Sequence, residues 1–402
     1  MGIPEHHKIL IIGGGTGGIA VASQLQKELA DPDIAILEPA DTHYYQPGWT
    51  FVGGGIFRKE ETARSMGEII PRGTHWIHDA AAKIDPETCT VTTETGVTMT
   101  YDFLVVAAGI RIDWETIPGL REGLGKNGIV SNYAYDIAPV TWEVIKSFKG
   151  GTALFTQPKP PFKCPGAAQK ILYLADDAFR RQKVRKQSEL IFCSAAPGIF
   201  PVKKYAAALN DVIKRKELDM RYQWNLIELR PGDKEAVFER LPDGDRETVA
   251  YDMIHVTPPM SAPHFIKESP LADGAGWLDI DMYTLQHKRY RNVFGLGDCT
   301  NTPNSKTAAA IKAQTPVLVS NLSMVIENQE GKAAYDGYAS CPLVTGYGKL
   351  ILAEFDYNMK PRETFPFDQG RELRSMYYLK KFILPRVYWN VLLKGGSFSM
   401  GE

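Results

Sequence analysis

A glycine-rich stretch near the start of the chain constrains the fold most. Residues 8–40 read KILIIGGGTGGIAVASQLQKELADPDIAILEPA, which is an apolar run, a glycine turn, apolar positions at helical spacing and a second apolar run. This order predicts strand, turn, helix and strand. Gly13, Gly15 and Gly18 match the G-x-G-x-x-G spacing: the first permits the tight turn, the second lets a pyrophosphate approach, and the third lets helix and strand pack closely. Glu38 ends the second run, where it can bind a ribose, so the pattern predicts a site for FAD or NAD.

Length and composition limit the classes of protein to which the chain can belong. A chain of 402 residues is expected to form two or three domains. The formal net charge of −1 provides no overall attraction to nucleic acid, and we predict no such partner. The sequence shows no signal peptide, no twin-arginine pair and no run of about 18 apolar residues, which predicts a chain that is neither exported nor spans a bilayer. Its five cysteines are widely spaced, which indicates catalysis or burial rather than a disulfide framework.

Two later segments favour FAD. Residues 101–110, YDFLVVAAGI, resemble the strand and small-residue turn that closes the FAD domain of many two-dinucleotide flavoproteins, which makes Gly109 a candidate contact. Residues 290–301, YRNVFGLGDCTN, resemble their second FAD signature. The helix-forming segment SKTAAAIKAQ follows, with Ser305 as the predicted N-cap, and the positive end of its dipole would stabilise reduced flavin. The candidate contacts in these last two segments are Gly297, Asp298, Lys306 and Thr307.

The middle of the chain lacks a second glycine turn. Strand-like runs occupy residues 151–157 and 189–195, but the first leads into PKPPFKCPGAAQKILYL. Prolines in this loop remove N–H donors that a pyrophosphate would need. Nicotinamide binding is therefore disfavoured.

That loop contains Cys164. Pro165 suits the first helical position, so Cys164 is predicted at the helix N-cap, where the dipole lowers a thiol pKa. Lys163 and Lys170 add positive potential. The arrangement predicts a nucleophile; the alternative is a small residue that caps a helix. Cys341 also stands directly before a proline.

These segments resemble one family over about residues 8–395. The contexts KCPGAAQKILYL and SCPLVTGYGKLILAEFDY, with EPADTHYYQPGWTFVGGG, HVTPPMSAP and GLGDCTNTPNSKTAAA, resemble sulfide:quinone oxidoreductase, in the branch that includes the animal mitochondrial enzyme. The resemblance implies an α/β fold of two Rossmann-like dinucleotide-binding domains, of the FAD/NAD(P)-linked reductase type, with a C-terminal amphipathic helical region that docks on a membrane. The implied domains are residues 1–115 and 261–330 for FAD, 116–260 for the middle domain with Cys164, and 331–402 for the C-terminal region with Cys341.

The resemblance also implies an activity. Cys164 and Cys341 would be a redox pair joined by a bridge that hydrogen sulfide attacks, leaving a persulfide on Cys341 and a Cys164 thiolate that reduces FAD. Electrons would pass to a membrane quinone and sulfur to sulfite, glutathione, coenzyme A, cyanide or sulfide itself. An NADH:quinone oxidoreductase of the type II kind and an electron-transfer flavoprotein with inert cysteines are the alternatives. The remaining cysteines are predicted to be structural, and no metal site is predicted at His75 and His78.

Residues 374–396, RSMYYLKKFILPRVYWNVLLKGG, combine apolar helical turns, aromatic residues and cations without an acidic residue. This composition suits an anionic lipid surface; the alternative is a helical pair packed on its own domain or on a partner subunit. Pro385 is predicted to end one helix and begin the next. The location would be peripheral, on a bacterial cytoplasmic membrane or on the mitochondrial inner membrane if the chain is processed. The sequence leaves open whether the chain forms a homo-oligomer. Residues 44–53 and 352–369 are predicted to line a quinone channel, with Tyr347, Phe355 and Phe382 as its aromatic candidates.

Overall fold

A computed structural model describes residues 5–396 as an α/β protein. Its strands are β1 (Glu5–Ile12), β2 (Ile34–Leu37), β3 (Thr42–Tyr44), β4 (Ala63–Ser65), β5 (Thr74–Ile77), β6 (Ala81–Asp85), β7 (Thr90–Thr93), β8 (Thr98–Val106), β9 (Arg111–Ile112), β10 (Ile129–Val130), β11 (Gly151–Gln157), β12 (Ser188–Ser194), β13 (Asp219–Tyr222), β14 (Trp224–Arg230), β15 (Glu235–Arg240), β16 (Arg246–Ala250), β17 (Met253–His255), β18 (Met260–Ser261), β19 (Val293–Gly295), β20 (Ala339–Gly346) and β21 (Lys349–Phe355). Its α-helices are α1 (Thr16–Glu28), α2 (Trp49–Gly53), α3 (Met66–Ile69), α4 (Leu120–Gly123), α5 (Ala138–Ser147), α6 (Ala167–Arg181), α7 (Lys203–Lys216), α8 (His264–Lys267), α9 (Ala308–Ile326), α10 (Arg374–Tyr378) and α11 (Leu384–Asn390).

The first sheet has seven strands in the order β5-β2-β1-β8-β7-β6, with β19 paired to β8. Strand β1 runs parallel to β2 and β8, and β19 runs parallel to β8. The central strand is apolar over Ile9–Ile12 because it is covered on both faces, and these four side chains are at most 3% exposed. The predicted strand, turn, helix and strand are therefore confirmed as β1, α1 and β2, and residues 290–301 return to the same sheet through β19.

The second sheet is parallel, with five strands in the order β10-β17-β11-β12-β13. A three-stranded antiparallel sheet, β14-β15-β16, extends from it. The strand-like runs predicted at 151–157 and 189–195 are β11 and β12. Because parallel neighbours need helical crossovers, α6 connects β11 to β12 in the manner of a Rossmann unit. The predicted α/β fold with two Rossmann-like units is confirmed.

The C-terminal part adds an antiparallel hairpin, β20 and β21, and a helical segment. The hairpin packs on α6. Beyond it, α10 passes through a π turn at Leu379–Ile383 into α11. Pro385 lies in the first turn of α11, as predicted, but the helical backbone continues through the π turn instead of ending before the proline.

One helix bears on the prediction that the chain does not span a bilayer. Helix α9 is long and apolar enough to span a bilayer by length and composition, whereas the sequence was not expected to supply such a segment. Its alanines and β-branched residues raise the hydropathy although Lys312 and Asn321 interrupt it. Helix α9 packs against α1, and 44% of its apolar window is buried inside the fold. We interpret it as an interior helix.

Candidate active site

The glycine turn between β1 and α1 has the geometry of a dinucleotide cradle. Gly13 has a φ of +103°, and a Cβ there would lie 2.6 Å from the Ala107 carbonyl oxygen. A Cβ on Gly18 would lie 1.9 Å from the Gly13 carbonyl oxygen, so only glycine permits this helix–strand contact. A Cβ on Gly15 would meet nothing within 4 Å. Gly18 therefore serves packing, and Gly15 keeps the turn open toward a ligand.

Glu38 is held beside this turn. Its carboxylate accepts hydrogen bonds from the Gly14 N–H at 2.7 Å and from the Ala40 N–H at 2.8 Å. These bonds fix the side chain at the end of β2, where it faces the cavity described next. The position matches that of a carboxylate that binds an adenosine ribose.

A cavity of about 420 Å³ extends from the glycine turn to Cys164. Gly18 lies outside its wall, in agreement with the packing role. The cavity brings together the other candidate cofactor residues, which are Gly13, Gly15, Glu38, Gly109, Gly297, Asp298, Lys306 and Thr307.

The start of α9 forms one side of this cavity. Thr307, rather than the predicted Ser305, is the N-cap, because its hydroxyl accepts a hydrogen bond from the Ala310 N–H at 3.2 Å. The Lys306 ammonium donates to the Thr300 carbonyl at 2.8 Å and lies 4.5 Å from the Trp277 ring centre. Burial lowers the pKa of Lys306, since desolvation disfavours its charge.

The two cysteines predicted to form a pair lie in contact, with Cys164 in the cavity wall and Cys341 buried behind it. Their sulfur atoms lie 3.8 Å apart, which is contact distance and longer than the roughly 2.05 Å of a disulfide bond. Cys164 has a φ of +55°, a conformation that costs a non-glycine residue roughly 1–2 kcal/mol. Hydrogen bonds at both ends of the residue hold it there: its N–H donates to the Lys306 carbonyl at 3.1 Å, and its carbonyl accepts from Ala167 at 2.9 Å. The Cys164 loop is thus fixed to the start of α9.

Electrostatics distinguish the two sulfurs. A hydrogen bond from the Cys341 thiol is the main reason that the pKa of Cys164 lies well below its usual value, and Lys170 and the Gly166 N–H act in the same direction. The Lys170 ammonium lies 3.2 Å from the Cys164 sulfur. The pKa of Cys341 is raised, first because its proton is held by Cys164 and second by burial. Cys164 is therefore the thiolate, and Cys341 is the thiol that donates to it.

The predicted origin of this thiolate needs one correction. Helix α6 begins at Ala167 with Gly166 as its N-cap, so Cys164 is not the N-cap and Pro165 is not the first helical residue. The positive φ of Cys164 turns the chain before the helix can begin. Lys170, one turn into α6, and the Gly166 N–H supply the positive potential instead.

The spacing of the cysteines depends on how α6 packs on the β20–β21 hairpin. A Cβ on Gly166 would lie 2.2 Å from the Leu343 side chain, so the two elements touch closely at the cysteine end. At the other end the Asp177 carboxylate accepts the Tyr347 N–H at 2.9 Å, and the Arg181 guanidinium lies 4.2 Å from the Tyr347 ring centre. Both ends of α6 are thereby fixed to the hairpin.

The three aromatic residues predicted for a quinone channel do not line this cavity. Tyr347 donates its hydroxyl to the Gly54 carbonyl at 2.7 Å and serves the hairpin contact. Phe355 is 1% exposed and packs edge-to-face on Phe200, because the strand turns it into the core. Phe382 is 44% exposed and lies on the outer surface. The predicted segments 44–53 and 352–369 do reach the cavity, and its apolar wall includes Tyr45, Pro47, Leu352, Leu379, Leu384, Val387 and Val391.

Lys380 is a functional candidate that the sequence analysis placed among surface cations. It is 5% exposed, lines the cavity and donates to the Pro47 carbonyl at 3.3 Å. Burial lowers its pKa to about 7, and the neighbouring Lys170 acts in the same direction. The sequence held a weak signal that Lys380 faces inward. Lys380 follows the buried Tyr377 by three residues and precedes Leu384 by four, which puts all three on one helical face.

The other cysteines have structural settings. Burial raises the pKa of Cys193 to about 12 and that of Cys299 to about 11, so both stay protonated. The sulfur of Cys89 accepts a hydrogen bond from the Asn292 amide at 3.4 Å. Within residues 5–396, no group of three or more metal-ligating side chains is present.

Comparisons with known proteins identify the class of this fold. The sequence pattern of the pyridine nucleotide-disulphide oxidoreductase family matches residues 7–139, which, with the two Rossmann-like sheets, makes the chain a two-dinucleotide-fold flavoprotein reductase. The solved sulfide:quinone oxidoreductase of Aquifex aeolicus has a TM-score of 0.83 at 20% identity, covering 98% of this chain and 92% of that one. The mitochondrial sulfide:quinone oxidoreductases of Mus musculus and Dictyostelium discoideum are 47% and 48% identical, each match covering 97% of this chain and 87% of the relative. The chain belongs to the sulfide:quinone oxidoreductase family.

The cofactor of this family is FAD, and the cavity fits it. Besides the open position at Gly15, two buried polar side chains of the cavity wall lack a partner within the described residues. They are the side-chain amide of Asn132, 7% exposed, and the indole N–H of Trp49, also 7% exposed. Because buried polar groups are nearly always hydrogen-bonded in native proteins, these atoms suit a cavity that holds a polar ligand.

The glycine turn permits a matched pair of substitutions. Gly15→Ala adds a methyl group that meets no protein atom, at a residue whose φ of −71° suits any side chain. We expect this variant to keep the folding stability of the wild-type apoprotein. Its affinity for FAD should fall by about tenfold or more. Gly18→Ala places its methyl group against the Gly13 carbonyl, so it should lower the thermal midpoint of the apoprotein as well. Flavin absorbance per protein and thermal unfolding measure the two effects; full FAD occupancy in Gly15→Ala would contradict the assignment of the cradle.

The contribution of Lys170 to the thiolate is measurable in the reduced protein. Lys170→Met removes the ammonium 3.2 Å from the Cys164 sulfur, and the pKa of Cys164 should rise by about one unit or more, the usual effect of a neighbouring opposite charge. The pH dependence of Cys164 alkylation, followed by mass spectrometry of its peptide, reports this pKa. Lys186→Met, on an exposed lysine beyond the end of α6, is the control and should leave the profile unchanged. An unaltered profile in Lys170→Met would show that Lys170 does not contribute, and that Cys341 and the Gly166 N–H stabilise the thiolate.

Proposed function

We propose that this protein oxidises hydrogen sulfide to sulfane sulfur at Cys164 and Cys341 and transfers two electrons through FAD to a quinone. The observation that carries the proposal is the 3.8 Å contact between these sulfurs, because Cys164 lines the same cavity as the glycine cradle and the buried Cys341 lies directly behind it. Membership of the sulfide:quinone oxidoreductase family supports the same reaction.

Residues from both ends of the cavity would hold the cofactor. Gly13 and Gly15 admit the pyrophosphate, and Glu38 accepts the ribose hydroxyls. Farther along the cavity, the contacts would come from Gly109, Gly297, Asp298, Lys306 and Thr307. When bound, FAD supplies a two-electron acceptor that can pass its electrons on to a quinone.

The chemistry at the cysteines is thiol–disulfide exchange. Hydrosulfide attacks the Cys341 sulfur of the oxidised pair; a new S–S bond forms on Cys341, and the bond to Cys164 breaks. The leaving sulfur is the one that Lys170 and the Gly166 N–H stabilise as a thiolate, which favours departure in this direction. A small nucleophile removes the outer sulfur from Cys341, and the two thiolates then form the bridge again, losing two electrons that FAD, when bound, would accept. This acceptor would be sulfite, glutathione, coenzyme A, cyanide or a second sulfide.

The middle domain argues against an NADH:quinone oxidoreductase. The loop between β11 and α6 begins with prolines at 158, 160 and 161 and presents Cys164 to the cavity. A nicotinamide dinucleotide would need free N–H donors at this turn, which prolines do not have.

The helical segment α10–α11 suits docking on a membrane. Tyr378, Phe382 and Ile383 are 53%, 44% and 41% exposed; we call these three residues the docking face. The inner side of the segment packs on the protein through Tyr377 and Trp389, and Leu379 lines the cavity. Exposed aromatic side chains next to cations suit the headgroup region of an anionic bilayer. One face packs on the protein, and the other would dock on the membrane.

A quinone from the bilayer would then enter along the apolar cavity wall beside the docking face. This gives the protein a peripheral position on a membrane. The relatives from Mus musculus and Dictyostelium discoideum are named as mitochondrial proteins, which favours the mitochondrial inner membrane over a bacterial membrane.

Sulfide itself tests the proposed donor. In an anaerobic titration of the oxidised protein, we expect sulfide to bleach the flavin band, whereas NADH leaves it unchanged. Cys341→Ser should bind FAD normally and lose this response by at least a thousandfold, because it has no bridge for sulfide to attack. Cys193→Ser is the control, since that thiol is buried in the second sheet. Rapid bleaching by NADH would reject the proposal in favour of the NADH-dependent alternative.

The docking face is tested with vesicles that contain phosphatidylserine. Phe382→Asp places a charge at the centre of this face and should reduce cosedimentation with the vesicles about tenfold, the scale of one apolar side chain removed from its environment. Phe367→Asp is the matched control, since Phe367 is 39% exposed but lies outside α10–α11. Sulfide-dependent reduction of a water-soluble quinone should persist in both variants. Equal vesicle binding by both would exclude this segment as the membrane contact.

A further inference from the structure

A chain of buried hydrogen bonds connects the C-terminal helix α11 to the glycine turn. The Tyr388 hydroxyl lies 2.7 Å from Nε2 of His43 and 2.8 Å from the hydroxyl of Thr16, the first residue of α1. Nδ1 of His43 lies 3.1 Å from the carbonyl oxygen of Gly14. Tyr388 is 3% exposed and His43 is 2% exposed, so the connection is shielded from water.

The direction of each hydrogen bond in this series follows from the Gly14 carbonyl at its end. The Gly14 oxygen can only accept, so Nδ1 of His43 carries the proton and donates to it. Burial lowers the pKa of His43 to about 4, which leaves the ring neutral at physiological pH and Nε2 an acceptor. Tyr388 therefore donates to Nε2 of His43, and the Thr16 hydroxyl donates to Tyr388. Each donor in the chain has one matching acceptor.

The same helical segment covers the cofactor end of the cavity. Tyr388, Val391 and Leu392 line the cavity together with Gly15 and Thr16 of the glycine turn. A second contact lies farther along, where the Ser23 hydroxyl of α1 donates to the Leu393 carbonyl at 2.8 Å. The tail thus forms a wall of the compartment that would hold the dinucleotide.

We propose that Tyr388 is a positioning residue that, through His43 and Thr16, locks the C-terminal segment over the glycine turn and controls the release of FAD. The cofactor leaves only when this segment opens. The docking face is part of the same continuous helical segment. A bilayer that binds the docking face therefore also stabilises the closed position of this segment over the glycine turn. The inference concerns cofactor retention and does not depend on which donor or acceptor the enzyme uses.

The experiment follows FAD release from the purified holoenzyme by the rise in flavin fluorescence after dilution, without sulfide or quinone. Tyr388→Phe keeps the ring, which lies 4.7 Å from that of Tyr45, and removes the hydroxyl. We expect FAD to dissociate about tenfold faster, the scale of a lost buried hydrogen bond. Amide hydrogen exchange should increase at residues 384–394 in the same variant. Tyr283→Phe, on a tyrosine that is 51% exposed, is the control and should release FAD at the wild-type rate.

A second pair of variants keeps the test decisive if Tyr388→Phe folds poorly. Ser23→Ala, outside the cavity wall, removes the hydroxyl that donates to the Leu393 carbonyl and should accelerate release, whereas Ser147→Ala, on an exposed serine of α5, should release FAD at the wild-type rate. Anionic vesicles should slow release from the wild-type holoenzyme. Faster exchange in the tail with unchanged FAD release would overturn the proposal, as would equal release from Ser23→Ala and Ser147→Ala.

Discussion

The close packing of α6 against the β20–β21 hairpin is the contact on which the active site depends. Cys164 precedes one element and Cys341 belongs to the other, so their sulfur separation is determined by how these elements meet. Gly166 permits the approach at one end because a side chain there would collide with Leu343. Tyr347 completes the contact at the other end. The packing of these two elements therefore holds the cysteines at contact distance.

The cavity connects Cys164 to the glycine turn, and most of the charged side chains in its wall are cations. Among the described residues, its wall contains five lysines, at positions 163, 170, 306, 312 and 380, against the three carboxylates Glu38, Asp298 and Glu354. Hydrosulfide, the Cys164 thiolate and the phosphates of FAD are all anions. Burial makes this excess of cations effective, because charges interact more strongly where water is excluded. Lys380, with a pKa of about 7, is the member of this set whose charge changes near neutral pH.

Sequence reasoning was most successful where backbone geometry requires one residue type. Gly13 and Gly18 follow from contacts that a side chain would prevent, and the two Cys-Pro contexts predicted two cysteines whose sulfurs lie in contact. It failed where the outcome depends on which way a side chain points in three dimensions. Phe355 and Phe382 have suitable chemistry for a quinone channel, but one faces the core and the other faces outward. The inward orientation of Lys380 and the start of α6 at Ala167 likewise depend on tertiary contacts that a local pattern does not contain.

The hydrogen bond between Thr16 and Tyr388 joins residues that are 372 positions apart. During synthesis, the glycine turn therefore leaves the ribosome long before Tyr388 does. The first Rossmann strands and helix are made before α11, and one wall of the cavity is missing while the intervening residues are added. The hydrogen bonds of Tyr388 can thus form only after the elements that they connect have been synthesised.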